Sequence, residues 1–310
     1  MTAPSGSPAV WQRTAPFLGA DAPLQEAAQV IVGAPLDHTT SFRPGTREGP
    51  RRIREVSDGL ESYSPRQGAA IEDAMVADAG DLVLPWGDVE ASLAAIERAV
   101  GDLVEAGKRP VVLGGEHLLT LGAVRAVAAR WPDLIIVQLD AHLDLRDDYL
   151  GQPLSHATVM RRVAEVLAGG ASPGALGRLV QLGVRSGTAD EWAAHARTLR
   201  VPGGLVEAAR RVVGELGGRP FYLSIDIDVT DPAFAPGTGT PEPGGPTSSE
   251  VIEAVACLAQ AGPVAVDLVE VCPAKDPSDV TALLAAKLTR EILVAPVRTG
   301  PSVGTRGRDD

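Results

Sequence analysis

The stretch LIIVQLDAHLD (134–144) decides the fold. From Leu134 to Leu139 it is apolar apart from Gln138 and carries no turn residue, the composition of a strand covered on both faces of a sheet. At Asp140 the apolar run stops, and His142 and Asp144 follow at alternate positions. Outward from this segment the same design recurs. Strands are expected at Val30–Leu36, Val111–Gly114, Leu134–Asp140, Leu179–Val184, Phe221–Asp228 and Val264–Val271. Helices are expected at Val89–Ala106, Leu121–Arg130, Ala157–Leu167, Glu191–Leu199, Leu205–Leu216, Ser249–Ala259 and Thr281–Val294. In the first of these, Leu93, Ile96, Val100, Leu103 and Val104 recur at helical spacing, and Asp88 stands where a capping side chain belongs. Strands alternating with helices predict an α/β fold with a mostly parallel central sheet between helical layers. No repeat or linker divides the chain. One catalytic domain is therefore expected over residues 25–310, behind an irregular N-terminal arm over 1–24 that mixes Pro, Ser and Gly.

Composition narrows the function. The 310 residues are 45 % apolar and 22 % charged, as in a soluble globular protein, and the net charge is −12. Nucleic acid and anionic membranes would want the opposite sign, so neither is an expected partner; a small cationic substrate suits the charge. Two cysteines, Cys257 and Cys272, cannot build a disulfide framework or a zinc cluster. The first 25 residues hold no apolar core of the signal-peptide kind, and the expected compartment is the cytoplasm.

In open α/β sheets ligands bind beyond the carboxyl ends of the strands, and four of these strands run into acidic or histidine-bearing segments. They supply Glu116 and His117; Asp140, His142 and Asp144; Asp226 and Asp228; and Asp267 and Glu270. Residues two apart on an extended chain share a face, so the D-x-H-x-D and D-x-D groups should each converge. Such polar groups on apolar strands cost several kcal/mol unless compensated, and divalent cations are the natural compensation. Two imidazoles and four carboxylates without sulfur suit two Mn²⁺ per chain better than structural zinc, with Ni²⁺ or Co²⁺ as alternatives. Four carboxylates balance two such ions, which would also activate a water near neutral pH. The glycine-rich GTGTPEPGG (237–245) lacks the GxxxxGK[ST] pattern and is not read as a phosphate loop.

The strings GGEH (114–117), DAHLD (140–144), SHATVMRR (155–162), SIDIDVTDPAFAPGTGTPEPGG (224–245) and VDLVEVCP (266–273) resemble the ureohydrolase superfamily of arginase and agmatinase. The segment SFRPGTREGPRRIREVSDGLESYSP (41–65) is similar to the agmatinase branch, and the likeness spans roughly residues 28–295. It implies a three-layer α/β/α fold, a homotrimer or homohexamer, and hydrolysis of agmatine to putrescine and urea, a step of polyamine biosynthesis. Carried over by position, it puts one metal on His117, Asp140, Asp144 and Asp226, and the other on Asp140, His142, Asp226 and Asp228. It makes Asp144 and a near-neutral His156 proton carriers, and Glu270 the partner of the substrate guanidinium.

Departures from the family pattern bear on the substrate. Glu48 stands where relatives often carry an aromatic residue, and it would alter substrate choice if it lined the mouth. Arg146 replaces the Asn of arginases; it would bind a carboxylated substrate or pair with Asp147 or Asp148. Guanidinobutyrase, guanidine hydrolase and arginase activities remain open, as does a catalytically silent homologue acting as a binding protein. Of the other polar candidates, His195 reads as a surface residue, His38 as a loop residue away from the chemistry, and Cys272 as an ordinary buried cysteine.

Overall fold

The computed structural model describes residues 9–169, 177–195 and 203–297. In chain order its strands are β1 (Trp11–Gln12), β2 (Gln29–Ala34), β3 (Tyr63–Ser64), β4 (Ala69–Ala70), β5 (Val76–Leu82), β6 (Arg109–Gly114), β7 (Ile135–Leu139), β8 (Leu179–Leu182), β9 (Phe221–Asp226) and β10 (Ala265–Val269). The helices are α1 (Gly49–Ser57), α2 (Val89–Glu105), α3 (Leu119–Arg130), α4 (Val159–Leu167), α5 (Ala189–His195), α6 (Leu205–Leu216), α7 (Ser248–Gln260) and α8 (Val280–Leu293). Eight strands form one sheet in the order β1-β5-β2-β6-β10-β9-β7-β8. All neighbours are parallel except β1, which lies antiparallel to β5 at one edge. The β3–β4 pair is a separate small hairpin.

Alternation along the strands builds two cores. On β2, Ile31 joins a cluster with residues of α6, α7 and α8, while Val30 and Val32 join one with α2, α3 and α4. Both faces of the sheet are thus covered, which gives the three layers and explains why the strands read as unbroken apolar runs. Asp88 caps α2 as the sequence indicates, accepting a hydrogen bond from the Ala91 N–H at 2.9 Å.

Besides the β3–β4 hairpin, three elements escape a reading based on periodicity. The segment read as an irregular arm contributes β1 and buries Phe17. Helix α1 lies in a highly charged stretch with Pro50 in its first turn, a position where the missing N–H is tolerated. Strand β5 carries two aspartates, so its pattern is not apolar. Arg54 of α1, itself buried, compensates them through Asp78 at 2.8 Å and Asp81 at 2.5 Å. The last turn expected of the Glu191–Leu199 helix, residues 196–199, lies outside the described residues.

The central strands β6, β10, β9 and β7 are consecutive in the sheet, so their carboxyl ends stand side by side. Register aligns them: Val269 lies opposite Asp226, and Leu139 opposite Ile225. At the end of β6, Gly115 packs so closely on Leu36 that an added Cβ would sit 1.9 Å from its carbonyl oxygen. Only glycine fits there, and the turn it permits delivers His117 to the centre and points Glu116 at the loop after β2.

Candidate metal centre

His117 is the pivot of the site. Its imidazole is buried, and Nδ1 lies 3.1 Å from Asp140 Oδ2, 3.0 Å from Asp144 Oδ2 and 3.4 Å from Asp226 Oδ2. Despite this crowding Nδ1 makes no hydrogen bond. The other ring nitrogen explains why: Nε2 is 3.0 Å from Ser224 Oγ, whose own hydrogen goes to Asp267 Oδ1 at 2.7 Å. Ser224 therefore accepts from Nε2–H, and Nδ1 is the nitrogen aimed among three carboxylate oxygens. Burial opposes a charge on the ring, but those carboxylates outweigh it and hold the imidazole well above its usual range, so a bound cation would take the place of a proton on Nδ1. Ligand atoms at right angles around an ion with bonds of about 2.1 Å lie about 3 Å apart, the spacing found here.

A second group shares Asp140. His142 Nδ1 is 2.9 Å from Asp228 Oδ2 and 3.6 Å from Asp140 Oδ1. His117, Asp140 and Asp226 form one set of converging ligand atoms, and Asp140, His142 and Asp228 another, each within 4.8 Å. The residues present fit two cations.

Electrostatics points the same way. Burial, joined by the charges of Asp228 and Asp140, holds the Asp226 carboxyl well above the usual range. Burial and Asp140 push Asp144 up to about 7. At His142 burial opposes the charged form, but Asp228 and Asp140 outweigh it and hold the imidazole up to about 12. Asp226, Asp144 and His142 thus cling to protons, which bound cations would replace, while at Asp140 burial is outweighed by His117 and His142, which hold the carboxyl below the usual range.

Strand alternation is not what makes these candidate ligands converge. Strand β7 ends at Leu139, and after Asp226 the chain enters a 3₁₀ turn over Ile227–Val229. Instead the aspartates fold back on their own backbone: Asp140 Oδ1 accepts from the His142 N–H at 2.6 Å, and Asp226 Oδ1 from the Asp228 N–H at 2.8 Å. Asp144 and Glu270 both have left-handed backbones, with φ of 53° and 66°.

Beside the centre lies a cavity of about 290 Å³, lined by His117, His142, Asp144, Arg146, Tyr149, His156, Glu191, Thr240 and Glu270 among others. Glu270 follows β10, and its Oε1 accepts from the His117 N–H at 2.8 Å. Burial pushes this carboxyl well up. His156 opens a 3₁₀ turn whose start Ser155 caps, and its N–H donates to Thr39 Oγ1 at 3.0 Å. Thr39 in turn donates to Glu116 at 2.8 Å, so Glu116 ties the loop after β2 to the histidine.

The profile of the Arginase family matches residues 27–295. The chain belongs to the arginase family. It is 43 % identical over 286 residues to the agmatinase of Bacillus anthracis, covering 91 % of this chain and 96 % of that one. It is 39 % identical over 278 residues to the human mitochondrial guanidino acid hydrolase, covering 86 % and 77 %. The crystal structure of the agmatine ureohydrolase of Thermoplasma volcanium superposes with a TM-score of 0.80 at 32 % identity, covering 91 % and 94 %.

Several sequence expectations are corrected within this family frame. Arg146 pairs with neither Asp147 nor Asp148. Its Nε lies 3.4 Å from Glu191 Oε2 and its guanidinium stacks 4.6 Å from the Tyr149 ring centre, while Asp147 is taken by Arg162 at 2.7 Å. Glu48, just before α1, pairs with Arg51 at 3.1 Å, both side chains exposed, and is not among the cavity-lining residues. His195 is buried, with Nδ1 3.0 Å from Gln181 Oε1, because α5 turns it inward against β8. Burial, joined by the charges of His117, His142 and Arg146, pulls the His156 imidazole down to about 4, below the near-neutral range expected of it. Asp267 is not in the cavity lining; it accepts from Thr120, Tyr222 and Ser224, each at 2.7 Å, and acts behind His117. Cys272 is buried as expected, and His38 lies in the loop outside the cavity, 6.5 Å from the Trp86 ring. Tyr149, Thr39, Ser224 and Glu191 escaped the sequence because their signal is purely spatial; only the S-x-D-x-D string hinted at Ser224.

Proposed function

We propose that this chain is a two-metal ureohydrolase that cleaves the guanidinium C–N bond of agmatine, giving putrescine and urea. His117, Asp140, Asp144 and Asp226 would hold one divalent ion, and Asp140, His142, Asp226 and Asp228 the other. Manganese is the first choice for a set of oxygen and imidazole donors, ahead of nickel and cobalt. Such a pair supplies the Lewis acidity that makes water a nucleophile near neutral pH.

The chain's own residues supply the rest. Glu270, with one oxygen fixed by the His117 N–H, offers its carboxylate to the planar guanidinium fork. This orients the guanidinium carbon toward the centre, and orientation is the larger part of what a poor electrophile needs. Water oxygen then bonds to that carbon, and the carbon–nitrogen bond to the alkylamine breaks. The amine leaves only when protonated: Asp144 takes the proton from water and hands it to the departing nitrogen. His156, with Nε2 beside Ser41 Oγ at 3.4 Å on the cavity lining, would relay a further proton toward solvent, a role that requires the charged cavity to lift it from the low value burial gives it.

The observation that carries this reading is the hydrogen-bond-free His117 Nδ1 among three carboxylates, next to a cavity that holds Glu270. The test is urea release from agmatine, arginine, 4-guanidinobutyrate and guanidine, with Mn²⁺, Ni²⁺ and Co²⁺ in parallel and elemental analysis alongside. Agmatine should lead, with two ions per chain. Urea from none of the four would favour a silent binding protein, against which the complete ligand set argues. The half-exposed Arg146 is the one feature favouring a second reading, a guanidinobutyrase. No helix among the described residues is long and apolar enough to cross a membrane, which suits a cytoplasmic enzyme. The single domain over 25–310 and a homotrimer or homohexamer complete the proposal.

A further inference from the structure

Glu191 lines the same cavity as Glu270, yet it is in no position to bind substrate directly. It is 4 % exposed, and its oxygens are already engaged. Oε1 accepts from the Leu145 N–H at 3.1 Å, and Oε2 from the Thr188 N–H at 2.8 Å and the Thr188 hydroxyl at 2.9 Å. What remains of its charge faces Arg146, whose Nε lies 3.4 Å away. Tyr149 supports that guanidinium from another side at 4.6 Å. No hydrogen-bond acceptor among the described residues takes the two terminal nitrogens of Arg146. The cavity therefore carries, away from the ligand carboxylates, one cation whose charge is balanced by one buried carboxylate.

We propose that Glu191 is a specificity-determining positioning residue: by pairing with Arg146 it cancels the cation that would otherwise repel an ammonium tail and attract a carboxylate. This rests on the agmatine reading and deepens it. With the pair intact, an alkylammonium meets a neutral wall. With Glu191 neutral, Arg146 keeps its charge and its free nitrogens, and these fit a carboxylate in bidentate fashion. The same scaffold would then favour guanidino acids such as 4-guanidinobutyrate over agmatine.

The experiment compares kcat/KM for agmatine and 4-guanidinobutyrate in the metal-loaded protein and three variants. Both substrates share the guanidinium, so damage to folding, metals or Glu270 lowers both and leaves their ratio unmoved. An uncompensated unit charge near the tail, partly screened, is worth roughly tenfold in each direction. Glu191→Gln should therefore move the ratio toward the acid by about a hundredfold, while Glu191→Asp, which keeps the charge, should stay near the parent. The double variant Glu191→Gln/Arg146→Gln should return the ratio to within about threefold of the parent, since no cation remains to be unmasked. A parent-like ratio in Glu191→Gln overturns the inference, as does a double variant that stays shifted toward the acid. A parent enzyme that ignores agmatine would refute the functional reading instead, a result visible before any variant is made.

Discussion

Replacing Ser224 by alanine should weaken one metal site and leave the other almost untouched. The Ser224 hydroxyl accepts from His117 Nε2–H at 3.0 Å and donates to Asp267 at 2.7 Å, so it fixes which ring nitrogen carries the proton. Without it Nε2–H is buried with no acceptor, and the tautomer with hydrogen on Nδ1 becomes competitive. That hydrogen would occupy the lone pair aimed at Asp140, Asp144 and Asp226. Loss of such a supporting bond typically costs about 10–100-fold in metal affinity, or about 1.4–2.7 kcal/mol. The ion held by His117 should feel it most, because the Ser224 hydroxyl bonds to His117 and Asp267 and, among the described residues, not to His142. Calorimetric titration of metal-stripped protein with Mn²⁺ should resolve two sites in the parent. In Ser224→Ala one should weaken by the stated factor while the other shifts less than about threefold, and Ser224→Thr should restore the parent pattern. Equal weakening of both sites, or of neither, would refute the tautomer argument.

The other expectations concern the centre and its cavity. Asp226→Asn should lose at least one ion and nearly all turnover, and normal stoichiometry by elemental analysis with normal activity would sink the ligand assignment. His156→Asn should keep both ions yet slow kcat by roughly 10²–10⁴, the usual worth of a positioned proton carrier; loss of metal in that variant would show that it is a ligand. Glu270→Gln should depress kcat/KM for agmatine, arginine and 4-guanidinobutyrate by a similar factor, and selective loss of one substrate would place Glu270 at the tail instead.

The architecture was legible because the strands announce themselves. Segments such as 134–139 and 221–226 are apolar on both faces, and the D-x-H-x-D and D-x-D groups stand directly after them. What local pattern could not give was geometry built from distant partners. Strand β5 hides because Arg54, more than twenty residues away, compensates Asp78 and Asp81. His195 looked polar and external because the sequence does not show that Gln181 waits for it on β8. Arg146 had acidic neighbours at 147 and 148, but the residue it pairs with is Glu191, brought in by α5. Near-neighbour charges on a loop point outward as readily as inward, so sequence adjacency was a poor guide to pairing there.

Strand alternation accounts only in part for the grouping of the candidate ligands. Period-two alternation correctly grouped Asp140 with His142 and Asp226 with Asp228, but the chain has left the strand by then. The groups hold together because each leading aspartate accepts the N–H two residues on, a bond that also orients its carboxylate. That device spends one oxygen of Asp140 and Asp226 on the backbone and turns the other toward His117. The left-handed backbones of Asp144 and Glu270 extend the same logic, since non-glycine residues there cost about 1–2 kcal/mol each. Glycine would remove that cost at either position but would also remove the carboxylate. The fold keeps both residues in place with backbone bonds instead: Met160 N–H to the Asp144 carbonyl at 3.0 Å, and Glu270 N–H to the Gly115 carbonyl at 2.9 Å. Two of the six non-glycine residues with positive φ among the described residues are these carboxylates, so at Asp144 and Glu270 the backbone bonds hold a costly turn that carries a side chain glycine could not supply.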